Sequence, residues 1–428
     1  MPEPASLRVA LLTYRGNPNS GGQGVYVRHL SRSLTALGHH VEVFSGQPYP
    51  RLDPGIELVR VAGLDLYNAD HPFRVPRPSE LKDWIDELEW EMMRAGRYPE
   101  PLTFSHRVRR LLRERVDEFD VVHDNQVLAT GIRGMQEDGH LVMATMHHPL
   151  AVDREQAGRE NPGHAAATAR WYDFLSMQDE VARGMPLVLT VSESAGRDIV
   201  ERVGLDAARI RVTPLGVDTT VFRPRPGLAQ RPGRVFTMAA AHIPLKGLRI
   251  LIEALAIVRR ARPDAHLVVV SRPWKDTAIP GLLANLGLEA AVTLLSDVSD
   301  ERLGEEYALS ELAVVPSLYE GFSLPAVQAM ASGVALVGTT AGALPEVVGD
   351  DGSCATLVPP GEPASLAEAI TALLADPARR TAQADAGRER VLRRYDWRSC
   401  GLQTVAAYRE LLEGAGTLPV LKAKPPRR

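Results

Sequence analysis

The feature that most limits how this chain can fold is an order of elements that occurs twice. In the first half, a short apolar strand at residues 9–12 is followed by a loop of small residues at 20–24 and a second strand at 41–44. The helix between loop and second strand carries apolar side chains at spacings of three and four, namely Val27, Leu30, Leu34 and Leu37. A strand, a glycine-containing loop, a helix and a strand open a doubly wound α/β domain.

The same order begins again after a proline-rich linker at residues 222–232. Further strands are predicted in the first half at 121–122, 141–144 and 187–190, and in the second half at 235–238, 266–270, 312–315 and 335–338. We therefore predict a first domain over 1–221, a second over 222–397, a terminal helix over 398–414 and a disordered basic tail over 415–428.

Composition excludes several classes of protein. A net charge of −4 over 428 residues argues against a nucleic-acid partner, and two cysteines exclude a disulfide framework. The N-terminus lacks the form of a secretory signal, which predicts a cytoplasmic protein. A basic amphipathic helix over residues 107–116 leaves peripheral membrane contact open, although a helix packed on the first domain is favoured because acidic residues interrupt it.

The first loop, with Gly21 and Gly22, lies between a strand and a helix. Glycines let backbone N–H groups approach an anion, and the helix N-terminus favours negative charge. The spacing is not GxGxxG, so a flexible turn is an equal alternative for this segment taken alone.

A second candidate segment begins at Glu320 and follows the strand at 312–315. Pro325 suits the first turn of a helix, which would leave the N–H groups of Phe322, Ser323 and Leu324 for a diphosphate or a sugar. The Glu320 carboxylate would then accept hydrogen bonds from sugar hydroxyls. Lys246 opens the first helix of the second domain and could reach a pyrophosphate as a point charge, although most lysines lie on the surface.

Three histidines follow predicted strands of the first domain: His123, His147 and His148. For all three we favour a hydrogen bond to substrate over metal ligation, because no HxxxH or HExxH spacing is present. No Asp-x-Asp pair follows a strand either, so no metal site is predicted.

Taken together, these motifs resemble the retaining glycosyltransferases of family 4, which have the GT-B fold. The similarity is strongest over residues 320–333, EGFSLPAVQAMASG, and continues at 342–346, 357–361 and 214–218. The resemblance implies two Rossmann-like domains facing a central cleft, with the acceptor in the first domain and the nucleotide-sugar donor in the second. It also implies a C-terminal helix that crosses back to the first domain, transfer without metal or other cofactor, and a UDP-sugar (or a GDP-sugar) as co-substrate.

By the same resemblance, Glu320 is the first glutamate of the E-x7-E motif and holds the transferred sugar. Lys246 contacts the diphosphate, together with the Gly21 and Gly22 amides, and His123 lies near the anomeric carbon. Two positions depart from the family pattern. Gln328 replaces the second glutamate, which in the family holds the ribose, and Ala241 replaces an arginine that contacts the diphosphate. His242 or another arginine could supply that contact.

Two alternatives stay open on the sequence alone. One is a nucleotide-sugar 2-epimerase of the same fold, which would need no acceptor. The other is a non-catalytic nucleotide-sugar-binding protein, which the departures at Gln328 and Ala241 suggest. The sequence does not identify the sugar, the oligomeric state or the acceptor, which we expect to be a hydroxyl-bearing small molecule or glycan.

Overall fold

A computed structural model describes residues 6–17, 22–68, 71–160, 162–275 and 277–414 of the chain. It contains two compact units. The first comprises the chain up to Val191, Gly196–Thr213 and the chain from Cys400; the second comprises Ser192–Ala195 and Pro214–Ser399.

The division between the units therefore falls before residues 221–222, where the linker composition placed it. The segment after Thr213 belongs to the second unit because its backbone is hydrogen-bonded to residues of that unit. The Val217 N–H donates to the Tyr395 carbonyl oxygen at 3.0 Å. A Cβ added at Gly216 would lie 2.3 Å from the Trp397 nitrogen, so the two segments are in close contact.

The first unit contains a parallel seven-stranded sheet in the order β3-β2-β1-β4-β5-β6-β7. Its strands are β1 (Arg8–Thr13), β2 (His40–Ser45), β3 (Glu57–Arg60), β4 (Val121–Asn125), β5 (Val142–Thr145), β6 (Val188–Thr190) and β7 (Ile210–Val212). The helices of this half of the chain are α1 (Gly22–Ala36), α2 (Trp84–Arg94), α3 (Glu100–Leu112), α4 (Thr130–Glu137), α5 (Ala151–Glu160), α6 (Ala165–Trp171), α7 (Leu175–Arg183) and α8 (Glu193–Val203). The sheet reverses its direction of growth at β1, which is the switch point where such sheets bind ligands.

The second unit contains a parallel six-stranded sheet in the order β10-β9-β8-β11-β12-β13. Its strands are β8 (Arg231–Met238), β9 (His266–Val270), β10 (Val292–Leu295), β11 (Ser310–Val315), β12 (Ala335–Thr339) and β13 (Thr356–Val358). Its helices are α9 (Leu248–Ala261), α10 (Ile279–Leu286), α11 (Asp300–Ala308), α12 (Leu324–Ala331), α13 (Leu344–Val348), α14 (Pro363–Ala375) and α15 (Pro377–Arg394). Residues of α9 and α14 bury their apolar faces against this sheet in one core.

The strands predicted from the sequence are confirmed. They were predictable because each contains a short apolar run that is buried on both faces. Four strands were not predicted: β3, β7, β10 and β13. All four are the outer strands of their sheets, and most of their residues are only partly buried, so no long apolar run marks them.

The last helix, α16 (Trp397–Gly414), returns to the first unit as predicted, since residues from Cys400 belong to that unit. Tyr408 on this helix is fully buried. The predicted basic tail over residues 415–428 lies outside the described residues.

The basic residues of α3 are engaged within the first unit. Arg107 is buried and pairs with Asp86 at 2.6 Å and with Glu89 at 2.5 Å, and Arg109 pairs with Asp138 at 2.7 Å. These ion pairs favour a helix packed on the unit over one that presents its arginines to a membrane. Among the described residues, every helix is too short or too polar to cross a bilayer. The cytoplasmic location stays a prediction.

Candidate functional site

The segment between β11 and α12 has the predicted form. Helix α12 begins at Leu324 with Pro325 in its first turn, and Ser323 caps it by accepting a hydrogen bond from the Ala326 N–H at 3.4 Å. Ser323 has a φ of +91°, an unusual value for a residue other than glycine. Such strain persists only where surrounding contacts hold it, and it often marks a functional turn.

Glu320 and Lys246 form a bidentate ion pair in the second unit. The Lys246 Nζ lies 2.9 Å from Oε1 and 3.0 Å from Oε2 of Glu320. Glu320 is 5% exposed and also accepts a hydrogen bond from Ser317 Oγ at 2.7 Å. The two residues follow the neighbouring strands β8 and β11, whose carboxyl ends lie at one edge of the sheet. The structure thus brings together the residue predicted to contact a diphosphate and the residue predicted to hold a sugar.

Two glycines let the surrounding loops approach closely enough for this pair. Gly247 has a φ of +67°, and a Cβ there would lie 1.9 Å from the Pro316 carbonyl oxygen. Gly342 has a φ of +55°, and a Cβ there would lie 2.2 Å from the Glu320 carbonyl oxygen. Side chains at these positions would displace Lys246 and Glu320 respectively. No role was predicted for these glycines or for Ser317, because their contacts depend on how loops that are distant in sequence pack together.

The other residues predicted on this segment have different surroundings. Phe322 is buried, and its ring packs edge-on against the ring of Tyr395, with 5.4 Å between the ring centroids. The side chain therefore belongs to the core, while the Phe322 backbone lies at the turn. Leu324 is half-buried at the start of α12.

Gln328 lies one helical turn after Leu324 and is 9% exposed. Within the described part of the chain its Oε1 has no hydrogen-bond partner. A buried acceptor without a partner costs about 1–3 kcal/mol, so a ligand that donates a hydrogen bond there would recover this energy.

Ala241, which departs from the family pattern, lies in a loop that is hydrogen-bonded to a second loop. The Ala241 N–H donates to Ser271 Oγ at 3.0 Å, which joins the loops that follow β8 and β9. Arg272 comes next in the second of these loops and is exposed, as is His242 in the first. Both side chains therefore belong to loops at the carboxyl edge of this sheet.

In the first unit, Gly21 lies outside the described residues, and Gly22 is the exposed first residue of α1. Gly24 is the glycine that its surroundings require, since a Cβ there would lie 2.3 Å from the Asn17 carbonyl oxygen. Residues 16 and 17 therefore pack closely against the start of α1. The role of Gly21 and Gly22 in binding a diphosphate stays a prediction.

The surroundings of His123 give no support to its predicted contact with a sugar. Its ring is fully buried, with Nδ1 2.7 Å from Tyr408 Oη and Nε2 2.7 Å from Thr145 Oγ1. Burial lowers its pKa to about 3, so the ring is neutral. The sequence placed this residue just after a strand ending at Val122, but β4 continues to Asn125 and keeps His123 inside the sheet.

His147 is the histidine that follows a strand end in this sheet. It lies beyond the end of β5, is half-buried, and its Nε2 lies 2.7 Å from Asn125 Oδ1. Burial, helped by the neighbouring His148 and His123, lowers the pKa of His147 to about 3. His148 is half-buried next to it, with Nε2 2.8 Å from Asp153 Oδ2.

Among the described residues, one group of potential metal-ligating side chains lies close together: His40, Glu42 and Glu57. It lies at the beginning of β2 and β3, at the opposite edge of the sheet from the ends of β1 and β5. Glu42 is paired with Arg115 at 3.0 Å. This group is therefore an ion-pair cluster separate from the candidate site.

Comparison with known proteins agrees with this architecture. Residues 20–221 match the family model Glycosyltransferase Family 4, and residues 232–376 match the model Glycosyl transferases group 1. With two Rossmann-like domains and these matches, the chain belongs to family 4 of the glycosyltransferases and has the GT-B fold.

Particular relatives are similar over nearly the whole chain. The MMP alpha-(1->4)-mannosyltransferase of Mycolicibacterium hassiacum is 46% identical over 408 residues, covering 95% of this chain and 98% of that protein. Among solved structures, the sucrose-phosphate synthase of Thermosynechococcus elongatus superposes with a TM-score of 0.76 at 23% identity, covering 95% of this chain and 100% of that one. Anabaena HepE, solved in complex with UDP and glucose, superposes with a TM-score of 0.71 at 18% identity, covering 94% of this chain and 99% of that one.

Proposed function

We propose that this protein transfers a mannosyl group, with retention and without a metal ion, from a nucleotide-diphosphate sugar to a hydroxyl of a saccharide acceptor. The observation that carries the proposal is the Lys246–Glu320 ion pair at the carboxyl edge of the second sheet. A nucleotide-diphosphate sugar has an anionic and a hydroxyl-bearing part next to each other, and this pair offers a cation for one and a carboxylate for the other. The mannosyl group rests on the 46% identical relative, a mannosyltransferase.

In the proposed reaction, a bond forms between the acceptor hydroxyl oxygen and the anomeric carbon while the bond from that carbon to the diphosphate oxygen breaks. The acceptor proton passes to the departing diphosphate on the same face, and this gives retention. Lys246 and the N–H groups at the start of α12 neutralise the charge that develops on the diphosphate. Glu320 accepts hydrogen bonds from the sugar hydroxyls and orients the ring.

The first unit would supply the acceptor site. We assign to His147 the substrate contact that the sequence assigned to His123, because His147 is half-buried at the end of β5 whereas His123 is enclosed. Gln328 would accept hydrogen bonds from the nucleoside part of the donor. A UDP-sugar stays the favoured donor from sequence, and UDP bound to the structural neighbour HepE supports this choice.

The test incubates the full chain with UDP-, GDP- and ADP-linked mannose and glucose and follows release of the nucleoside diphosphate, with and without saccharide acceptors and with and without EDTA. We expect one donor to be turned over in an acceptor-dependent manner, unaffected by EDTA, with an α-linked product by NMR. A sugar stereoisomer formed without acceptor would instead identify an epimerase. Binding of a donor without any turnover would identify a non-catalytic binder, and neither binding nor turnover would exclude the whole class.

Glu320→Ala provides the residue-level test. Loss of two charge-assisted hydrogen bonds to the sugar, each worth about 1.5–3 kcal/mol, predicts a fall in kcat/KM of about 10²–10⁴. Glu311→Ala is the matched control, because Glu311 forms an ion pair with Arg380 at 2.7 Å and is largely buried but lies at the opposite end of β11. The control should lose stability and keep activity per folded molecule. Equal activity in the two variants would remove Glu320 from the site.

A further inference from the structure

A buried serine in the loop after β11 contacts the carboxylate that is proposed to hold the sugar. Ser317 is 1% exposed, and its Oγ donates a hydrogen bond to Glu320 Oε1 at 2.7 Å. A hydroxyl bonded to a carboxylate at this distance forms a charge-assisted contact, roughly twice as strong as one between neutral groups. Because the two residues lie three positions apart in one loop, the contact fixes the carboxylate relative to that loop.

The position of Ser317 is fixed in turn by the neighbouring strand. Its carbonyl oxygen accepts a hydrogen bond from Thr339 Oγ1 at 2.6 Å, and Thr339 is the buried last residue of β12. On the other side, the Leu318 N–H donates to the Leu245 carbonyl oxygen at 2.7 Å. The loop that carries Ser317 is therefore hydrogen-bonded both to the end of β12 and to the turn that precedes Lys246.

Lys246, the second partner of Glu320, is held less firmly than Ser317. The lysine side chain is 31% exposed and ends in an ammonium group on a flexible four-carbon stem, whereas the serine is enclosed. A diphosphate competes for the same N–H donors that now contact Glu320. The lysine is thus the partner that can exchange when an anion binds, and the serine is the partner that stays.

Donor binding changes what Glu320 must do. A carboxylate has about four acceptor positions, and Ser317 occupies one of them, so about three remain for the ammonium group or for sugar hydroxyls. When Lys246 turns to the diphosphate, a carboxylate without its serine partner could rotate to follow the ammonium group. Transfer requires the reacting groups to be held in a narrow range of positions, so such a rotation would slow the chemical step more than it weakens nucleotide binding.

We propose that Ser317 is a positioning residue: it keeps the Glu320 carboxylate directed at the transferred sugar while Lys246 turns to the diphosphate, and Thr339 keeps Ser317 in place. This inference rests on the proposed function and deepens it, because it separates the group that orients the sugar from the group that binds the diphosphate. Ser317 acts through Glu320, so its removal should lower kcat and leave the affinity for a nucleoside diphosphate unchanged.

The test uses the full chain carrying Ser317→Ala and measures kcat and donor KM with the sugar nucleotide that the wild type turns over. Calorimetry with UDP, GDP and ADP gives the dissociation constant of the nucleotide without its sugar. Loss of one charge-assisted hydrogen bond predicts a fall in kcat of about tenfold to a hundredfold. The dissociation constant should not change, because Lys246 and the loops around it are intact.

Two substitutions at Thr339 test the second contact and do not depend on how well the Ser317 variant folds. Thr339→Val keeps the shape of the side chain and removes its hydroxyl, so kcat should fall, whereas Thr339→Ser keeps a hydroxyl and should retain kcat. In a protein that already carries Ser317→Ala, Thr339→Val should lower kcat little further, because both substitutions act through Glu320.

Ser310→Ala is the matched control, because Ser310 is fully buried at the opposite end of β11 and its Oγ donates to the Glu306 carbonyl oxygen at 2.8 Å. This substitution should lower the free energy of unfolding and leave kcat per folded molecule unchanged. Glu320→Ala gives a second reference, since adding Ser317→Ala to that variant should lower kcat no further.

The inference would be overturned by a kcat of Ser317→Ala equal to that of Ser310→Ala, or by an undiminished effect of Ser317→Ala in the Glu320→Ala protein. It would also be overturned if nucleoside diphosphate binding weakened in proportion to kcat, because Ser317 would then support the whole loop and not the carboxylate. Each of these results leaves the proposed function standing. A wild-type chain that turned over no nucleotide sugar would instead refute the proposed function and this inference with it.

Discussion

The burial of His123 leads to a quantitative prediction of how the free energy of unfolding depends on pH. In the folded protein both ring nitrogens are hydrogen-bonded and the pKa is about 3, against an ordinary value of 6.5 in the unfolded chain. A lowered folded-state pKa means that the unfolded state binds more protons as the pH falls from 6.5 towards 3. Stability supplied by the neutral ring is therefore complete above pH 6.5 and is lost below it. At pH 5 the loss amounts to about 2 kcal/mol from this one histidine.

His123→Phe separates this effect from all others. At pH 8 the variant should lose about 2–4 kcal/mol of unfolding free energy, because two buried hydrogen bonds disappear and Tyr408 Oη is left unpaired. Thr145 Oγ1 keeps its contact with Tyr26 Oη at 2.9 Å. At pH 5 the difference between variant and wild type should shrink by about 2 kcal/mol, since phenylalanine does not titrate. Contributions from Asp124, whose pKa burial raises to about 7, are common to both proteins and cancel.

The assay is urea denaturation followed by tryptophan fluorescence at pH 5, 6, 7 and 8, together with activity per folded molecule at pH 8. A difference between variant and wild type that does not change with pH would refute the neutral, enclosed ring. A thousandfold loss of kcat in a variant of unchanged stability would show that His123 takes part in the reaction.

Two further substitutions test the second unit. Gly247→Ala, with a Cβ 1.9 Å from the Pro316 carbonyl oxygen, should cost about 2–4 kcal/mol of stability and raise donor KM by displacing Lys246. Gly287→Ala is its control, because Gly287 has a similar φ of +64° but open space around it, and it should cost only about 1 kcal/mol without affecting donor KM. Gln328→Glu should lower donor KM by about fivefold, since a carboxylate roughly doubles the strength of a hydrogen bond to the donor. Calorimetry of donor binding checks this substitution: unchanged binding would place Gln328 away from the donor, and weaker binding would contradict its role as an acceptor of hydrogen bonds from the donor.

The fold was largely predictable because its central strands are continuous apolar runs and its helices have regular apolar spacing. Strands β1, β2 and β9 and helix α9 needed nothing more than this pattern. The outer strands β3 and β10 escaped prediction, because a half-exposed edge strand has no run of apolar residues to mark it.

The candidate site was predictable residue by residue but not as an arrangement. Lys246 and Glu320 were both predicted from their positions at strand ends, yet their direct ion pair depends on how two loops 74 positions apart pack on each other. The predicted strand before His123 ended at Val122, whereas β4 continues to Asn125. A polar residue within a buried parallel strand looks like the first residue of a loop, and only the register of β4 on β5 shows otherwise.

The hydrogen bond between Tyr408 and His123 also limits where the chain can be divided into fragments or exchanged domains. Residues from Cys400 supply a buried part of the first unit, although nearly two hundred residues of the second unit come before them in the chain. A fragment that ended at Thr213 would lack the partner of His123 Nδ1 and expose the surface that Tyr408 covers. A chimaera designed to exchange the first domains of two such enzymes would therefore need to carry residues 400–414 from the same parent as its N-terminal half.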